Sequence, residues 1–349
     1  MNFASDNWAG AHPAIAEALA RHAGGFAPAY GTSPLDRQVE ERFREIFERD
    51  VAVYFVATGT AANALSMTAV ARPGGVAFMH AEAHMIEDEC FAPEYFTGSR
   101  MAPVSGDLGR IDPLALDEAI RRHPPQFVHS GQPMAVSVTQ ATEIGTVYSL
   151  DELDGIAEVC RRHSLPLHMD GARFANALVS LDCSPAEMTW KRGVDIVSFG
   201  GTKNGCWCAE AIIVLNPNLG RDMPFLRKRS AQLFSKSRFV AAQFEAYFQD
   251  GLWLDSARHA NAMTAHLATT VRRSARLRLA WEPQANEVFA VIDDADAARL
   301  KEAGAVFHPW HKPSAFREPL AQGEGIYRLV TSFATTPEEI DTFGRLIGA

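Results

Sequence analysis

Two hydrophobic rhythms alternate along the chain. Short β-branched and aromatic runs read as strands: Val51–Val56, Val76–Met79, Phe127–His129, Ala135–Val138, Leu165–Met169, Val194–Phe199 and Ala211–Leu215. Between them, apolar residues recur at helical spacing. One such stretch follows Gly59-Thr60 and runs to about Ala71, where Arg72-Pro73-Gly74-Gly75 stops it. Asp112–Arg122 and Leu150–His163 are two more; in the second, Leu150, Leu153, Ile156, Ala157 and Cys160 share one face and charges take the other. Strands alternating with helices in this way predict an α/β fold, with a mostly parallel sheet covered on both faces.

After Phe239 the texture changes. Phe239–Phe248 and Leu252–Leu277 read as long helices rich in Ala, His and Arg. From Trp281 mixed elements return: Val288–Ile292 as strand, Ala295–Glu302 as helix, Tyr327–Phe333 as strand and Pro337–Ile347 as helix. The pattern predicts a large domain over residues 1–252 and a smaller C-terminal domain over 253–349.

Composition narrows the class. The chain has 349 residues and a formal net charge of −9, from 33 basic and 42 acidic side chains. That balance argues against nucleic acid or an anionic membrane as the main partner, since both favour a basic face. No apolar run approaches the roughly 20 residues needed to span a bilayer, and the N-terminus lacks the pattern of a signal peptide. The five cysteines, at positions 90, 160, 183, 206 and 208, suit reduced thiols in the cytoplasm better than a disulfide framework.

Candidate chemistry sits at two strand ends. His168-Met169-Asp170-Gly171-Ala172-Arg173 and Val194–Phe199 with Gly200-Gly201-Thr202-Lys203-Asn204 each deliver a polar residue where a strand finishes. In open α/β sheets ligands bind at that edge, so Asp170 and Lys203 are expected to converge in one crevice. A lysine and a carboxylate there suit pyridoxal 5′-phosphate (PLP), which takes a Schiff-base lysine and a carboxylate opposite its pyridine nitrogen. A surface salt bridge is the plain alternative; Gly200-Gly201 weigh against it, because they permit a tight turn beside a ligand. Gly59-Thr60-Ala61-Ala62-Asn63 opens a helix whose free N–H groups can hold a phosphate, although Thr60 also suits a simple N-cap. His84 can stack on a flat ring or handle protons. His80 and His84 are four apart but lack the His-Glu-x-x-His order and a third ligand, so no metal site is read there. Cys206-Trp207-Cys208 lacks the usual two-residue spacer and is read as packing beside the lysine loop.

These segments also resemble a known family. Phe3-Ala4-Ser5-Asp6-Asn7, Tyr30-Gly31, Gly59–Asn63, His84 through Asp88-Glu89-Cys90, Thr139–Glu143, Gly145–Tyr148, His168–Arg173 and Phe199–Gly205 are together similar to the low-specificity L-threonine aldolases, from about Ser5 to beyond Arg328. The bacterial L-threonine and L-phenylserine aldolase branch is the nearest in character. The resemblance implies the PLP fold type I: a mostly parallel seven-stranded sheet in a three-layer sandwich, a smaller α+β C-terminal domain, and an N-terminal arm (1–30) near the active site. It implies that Lys203 carries the cofactor, Asp170 faces the pyridine nitrogen, His84 stacks on the ring, and Gly59 and Thr60 hold the phosphate. Arg173 is expected to reach the cofactor phenolate and the substrate carboxylate. Ser5 and Arg328 are expected at that carboxylate and His129 near the substrate side chain. Arg238, beside the basic run Arg227-Lys228-Arg229, is expected at the phosphate of a neighbouring subunit, in a homodimer or homotetramer with sites at its interface.

The implied reaction is retro-aldol cleavage of a β-hydroxy-α-amino acid to glycine and an aldehyde, with His84 or His129 as base. The stretches Thr32-Ser33-Pro34 and Ser130–Met134 depart from the family's pattern and leave the side-chain preference open. Another fold-type I enzyme (a β-lyase or aminotransferase), a metal-dependent hydrolase and a non-catalytic binding protein are the rival readings.

Overall fold

A computed structural model describes residues 1–349. The strands are β1 Ala52–Val56, β2 Gly75–His80, β3 Arg100–Val104, a small hairpin of β4 Gly106–Asp107 and β5 Arg110–Ile111, β6 Gln132–Thr139, β7 Leu167–Gly171, β8 Ile196–Gly200, β9 Glu210–Val214, β10 Leu277–Leu279, β11 Glu287–Asp293, β12 His308–Trp310 and β13 Glu324–Val330. Seven form one sheet in the order β1-β9-β8-β7-β6-β2-β3, in which only β9 runs against its neighbours. This matches the seven-stranded, mostly parallel expectation.

Alternate residues of the central strands serve two layers. Val197, Phe199, Ala211 and Ile213 point into a core shared with the helices Pro34–Phe47, Phe174–Leu181 and Arg238–Phe248. Ile196, Ile212 and Val214 point to the other side, against the helix Gly59–Ala69. Burying both faces is why these strands read as unbroken apolar runs. Aromatic rings dominate the first layer; Phe43 meets Phe199 edge-on at 5.2 Å and Phe248 at 4.9 Å.

The second sheet, in the order β10-β11-β13-β12, is antiparallel. The helix Leu252–Arg273 belongs to both cores: Trp253 and Ala257 pack in the first, Leu267, Ala268 and Val271 in the second. The first residues side with the small sheet. Phe3 N donates to Val306 O at 2.8 Å, Val330 N donates to Phe3 O at 2.9 Å, and the Phe3 ring is buried in the smaller core.

Two local expectations need correction. Phe127–His129 is not a strand. Phe127 N bonds Pro124 O and Ser130 N bonds Phe127 O, so the Pro124-Pro125 corner winds into successive turns and pairing starts at Gln132. The long helix ends at Arg273, not Leu277, because Leu277 pairs with Ile292 in the second sheet.

Candidate active site

β7, β8 and the helix Gly59–Ala69 meet at the carboxyl edge of the large sheet, around a cleft of about 420 Å³. Asp170 and Lys203 both line it. Asp170 is buried near the end of β7; Oδ1 accepts from Ala172 N at 3.0 Å and Oδ2 from Asn63 Nδ2 at 2.8 Å. Burial, then the charge of Glu143, pushes its carboxyl above the usual range.

Lys203 sits on a single 3₁₀ turn after β8. Sequence chemistry dictates that turn: a Cβ on Gly200 would lie 2.5 Å from Ala172 O, and one on Gly201 2.6 Å from Ala209 O. The next residue anchors the loop, as Asn204 Nδ2 donates to Tyr247 Oη and Trp253 O, both at 2.8 Å. Glu210 opens β9 and accepts from Thr202 N at 3.2 Å; burial raises its carboxyl to about 7.

The helix beginning at Gly59 is capped by Thr58, not Thr60. Thr58 Oγ1 accepts from Ala61 N at 3.1 Å, while Gly59 and Thr60 line the cleft. The first-turn amides have no intrahelical acceptor, which suits an anion.

Asn63, one turn further on, joins two carboxyl groups. Its Nδ2 donates to Glu89 Oε1 and to Asp170 Oδ2, each at 2.8 Å. Glu89 Oε1 also bonds His84 Nδ1 at 2.9 Å. Burial lowers the His84 pKa, but the Glu89 hydrogen bond and the charges of Glu143 and Asp170 outweigh it, so the imidazole is held above its ordinary value. His80 spends its Nδ1 on Glu82 N instead, and no group of three or more His, Cys, Asp and Glu side chains is arranged to hold a metal.

The expected arginines occupy a buried ladder behind the cleft. Arg173 Nε donates to Asp6 Oδ2 at 2.8 Å and Nη2 to Asp6 Oδ1 at 3.2 Å; Nη2 also lies 3.2 Å from Glu287 Oε1. Its Nη1 is buried with no partner, the one nitrogen left for a ligand. Arg328 extends the ladder, with Nη1 3.6 Å from Glu287 Oε1 and its guanidinium 4.6 Å above Trp310. Ser5 caps the turn Asp6–Trp8, its Oγ accepting from Asn7 N at 3.1 Å; Asn7, not Ser5, lines the cleft.

Two expected residues lie away from it. His129 is exposed on the turns before β6. Thr139, the last residue of β6, is the one paired with Asp170, so the eight residues of that strand, at ~3.3 Å each, put about 26 Å between His129 and the carboxyl edge. Arg238 donates to Gly25 O and Ala23 O at 3.1 and 3.4 Å, tying down the segment that follows the helix Pro13–Arg21. Neither lines the cleft of its own chain. The Cys206-Trp207-Cys208 expectation holds only in part: buried Cys206 packs against Gly201 of the lysine loop, but Trp207 stands 67% exposed at the cleft beside half-buried Cys208.

Asn63, Glu89, Glu143, Glu210 and Glu287 had no assigned role in the sequence. Asn63 and Glu143 lay inside quoted motifs, and Glu89 ended an acidic run in which it alone is buried.

The residues fit PLP. A lysine, a carboxyl group held at a strand end and free helix amides line one cleft, and the residue after cleft-lining Ala172, Arg173, keeps a buried nitrogen without a partner. Fold and site together define the class, the fold-type I enzymes of PLP chemistry. Comparison agrees: the family model for beta-eliminating lyases matches residues 2–295, and the chain belongs to that family. It is 38% identical over 347 residues to a low specificity L-threonine aldolase of Pseudomonas aeruginosa, covering 99% of this chain and 96% of that one. A second, from Pseudomonas sp., is 38% identical over 310 residues, covering 88% of this chain and 89% of that one. The solved structure of Leishmania major threonine aldolase superposes with a TM-score of 0.92 at 29% identity, covering 99% of this chain and 98% of that one.

Proposed function

We propose that the chain is a PLP-dependent aldolase that cleaves L-threonine, L-allo-threonine and related β-hydroxy-α-amino acids such as phenylserine to glycine and an aldehyde, reversibly. The observation that carries this reading is the convergence of Lys203 and Asp170 at one cleft with the helix start at Gly59, on a chain that is 38% identical to L-threonine aldolases. When bound, the cofactor supplies an electron sink for the pair released as Cα–Cβ breaks.

The chain's own residues do the rest. Lys203 supplies the amine that holds the cofactor. Asp170, steadied by Asn63 and Ala172 N, holds a proton at the pyridine nitrogen. His84, fixed by Glu89, would lie against the bound cofactor. Gly59 and Thr60 grip the phosphate. Arg328 fixes the substrate carboxylate, and orientation then decides which bond at Cα breaks.

We propose a homodimer or homotetramer in the cytoplasm as the working form. Exposed aromatic residues, among them Phe91 and Tyr95 just after Glu89 and Trp207 at the cleft, support assembly. Five free cysteines suit a reducing compartment. No helix is long and apolar enough to cross a membrane.

The test is product identity. Purified protein with PLP should turn yellow, release glycine and aldehyde from L-threonine or phenylserine, and lose both properties in Lys203→Ala. Pyruvate and ammonia from serine would point to a β-lyase instead. A wild-type protein that stays colourless with added PLP sinks the enzyme reading.

A further inference from the structure

We propose that Glu143 is the proton acceptor for the substrate's β-hydroxyl. This deepens the aldolase reading and rests on it. Glu143 lies just past the end of β6, where Gln140 N donates to Asp170 O at 2.8 Å. A tight turn holds it: Thr142 N bonds Thr146 O at 2.9 Å, and the Gly145 φ of 72° closes the corner. The small domain pins the same turn, through Trp281 Nε1 to Ile144 O at 2.8 Å, Gln284 N to Gly145 O at 3.0 Å and Val147 N to Gln284 Oε1 at 2.8 Å.

Such a rigid mount carries a carboxylate that does no structural bonding. Glu143 is only 5% exposed and its Oε1 is buried with no hydrogen-bond partner. Buried polar atoms are nearly always paired, so a missing partner asks for an explanation. The cations that act most strongly on Glu143 are Lys203, Arg173, His84 and Arg328, all expected at the site. Burial alone raises its carboxyl, but these charges, Lys203 foremost, hold it below the usual range. It therefore stays ionised throughout the neutral range.

Neither histidine of the same chain competes for the task. His129 is on the far edge of the sheet. His84 has Nδ1 committed to Glu89 and is held toward its cationic form, which has no lone pair to offer. A weak base suffices. As Cα–Cβ breaks, the hydroxyl becomes the protonated oxygen of an aldehyde, a far stronger acid than a carboxylic acid. The O–H proton passes to Glu143, the O–H electron pair becomes the second C–O bond, and the Cα–Cβ pair stays with Cα. Cα then takes up one proton, completing glycine, and no oxidant or reductant enters.

The experiment separates two reactions of the PLP-loaded enzyme. Phenylserine cleavage needs the β-hydroxyl proton removed; exchange of the glycine α-hydrogen in D₂O, followed by NMR, does not. Glu143→Gln should lose on the order of 10²- to 10⁴-fold in cleavage kcat, keep glycine exchange within about threefold of wild type, and keep the visible absorbance of bound PLP. In the cofactor-free protein it should also lower the His84 imidazole pKa by NMR, because Glu143 is one of the charges raising it. Cleavage within about threefold of wild type, equal loss of both reactions, or an unmoved His84 titration overturns the proposal. If Glu143→Gln does not fold, Glu143→Asp decides: a loss of cleavage without loss of exchange supports it, and parallel or absent losses overturn it. A wild-type enzyme that exchanges glycine yet makes no aldehyde fails the aldolase reading, not the placement of Glu143.

Discussion

Arg173 and Asp6 form a buried, two-point ion pair across 167 positions of chain, Nε to Oδ2 at 2.8 Å and Nη2 to Oδ1 at 3.2 Å. It joins the end of β7 to the N-terminal arm, and Asn286 Nδ2 adds a third bond to Asp6 Oδ2 at 3.0 Å. Removing one member leaves a buried charge underpaired. Asp6→Asn should therefore lower stability by about 3–5 kcal/mol, measured by urea unfolding. The pH dependence has a definite sign. Burial raises the Asp6 carboxyl, but the charges of Arg173 and Lys203 and the hydrogen bonds outweigh it, so its folded value lies below its unfolded one. That stabilisation is present at neutral pH and fades as pH falls through the folded value. The variant should lose this acid-side slope; an unchanged slope refutes the account.

Glu287 acts in the opposite sense. Burial lifts its carboxyl to about 7, against the offsetting charges of Arg173 and Arg328. The folded state then holds a proton that the unfolded state has released, so this group's stabilisation is full at low pH and is lost as pH rises from the ordinary carboxylate range through about 7. Glu210 adds to the same trend. The melting temperature of the cofactor-free protein should fall from about pH 5 to about pH 8, and fall less in Glu287→Gln. The slope is the readout, since the variant also alters the pairing of two arginines. Equal slopes count against it.

Arg328 should not tolerate lysine. Its planar fork stacks 4.6 Å over Trp310 and its Nε is buried without a partner. A lysine keeps the charge but neither stacks nor forks. Arg328→Lys is expected to raise KM for threonine about ten- to a hundredfold (roughly 1.4–2.8 kcal/mol) with a smaller change in kcat and unchanged PLP absorbance. Trp310→Leu should move KM the same way by less. Steady-state kinetics on both variants decide it; a kcat loss with KM intact removes Arg328 from carboxylate binding.

The parts legible in the sequence were those that chain order places together. Asp170 and Lys203 each finish an apolar strand, and in a parallel sheet such ends share one edge, so a linear reading could pair them. Asn63, Glu89, Glu143 and Glu287 meet the site only through space. The apolar run that predicts β11 starts at Val288, one residue past Glu287, which opens the strand. Other misses had a readable signal. The helix Pro34–Phe47 carries a capping box from Ser33 to Asp36 and buried Val39, Phe43 and Phe47 at helical spacing. β3 did not read as a strand because it is a sheet edge, where Pro103 is tolerated and the apolar alternation is broken. The Phe127–His129 run misled because propensity for β structure does not decide pairing; the prolines before it do.

His129 yields the last prediction. It cannot serve the cleft of its own chain, since β6 separates it from that edge. It can serve a site only in a second copy, and its neighbours Phe127 and Val128, 52% and 88% exposed, give that segment an apolar surface for docking. His129→Phe should then lower threonine cleavage more than tenfold (about 1.4 kcal/mol) while leaving PLP absorbance intact. Lys203→Ala should abolish both. Co-refolding the two inactive chains should restore cleavage, because a mixed assembly contains some sites with an intact Lys203 from one chain and an intact His129 from the other. Restoration that rises with the mixing ratio toward equal amounts is the expected result. If His129→Phe is fully active, or if mixtures never exceed the sum of the separate variants, His129 has no part in the reaction, and the role that the family resemblance implies for it falls.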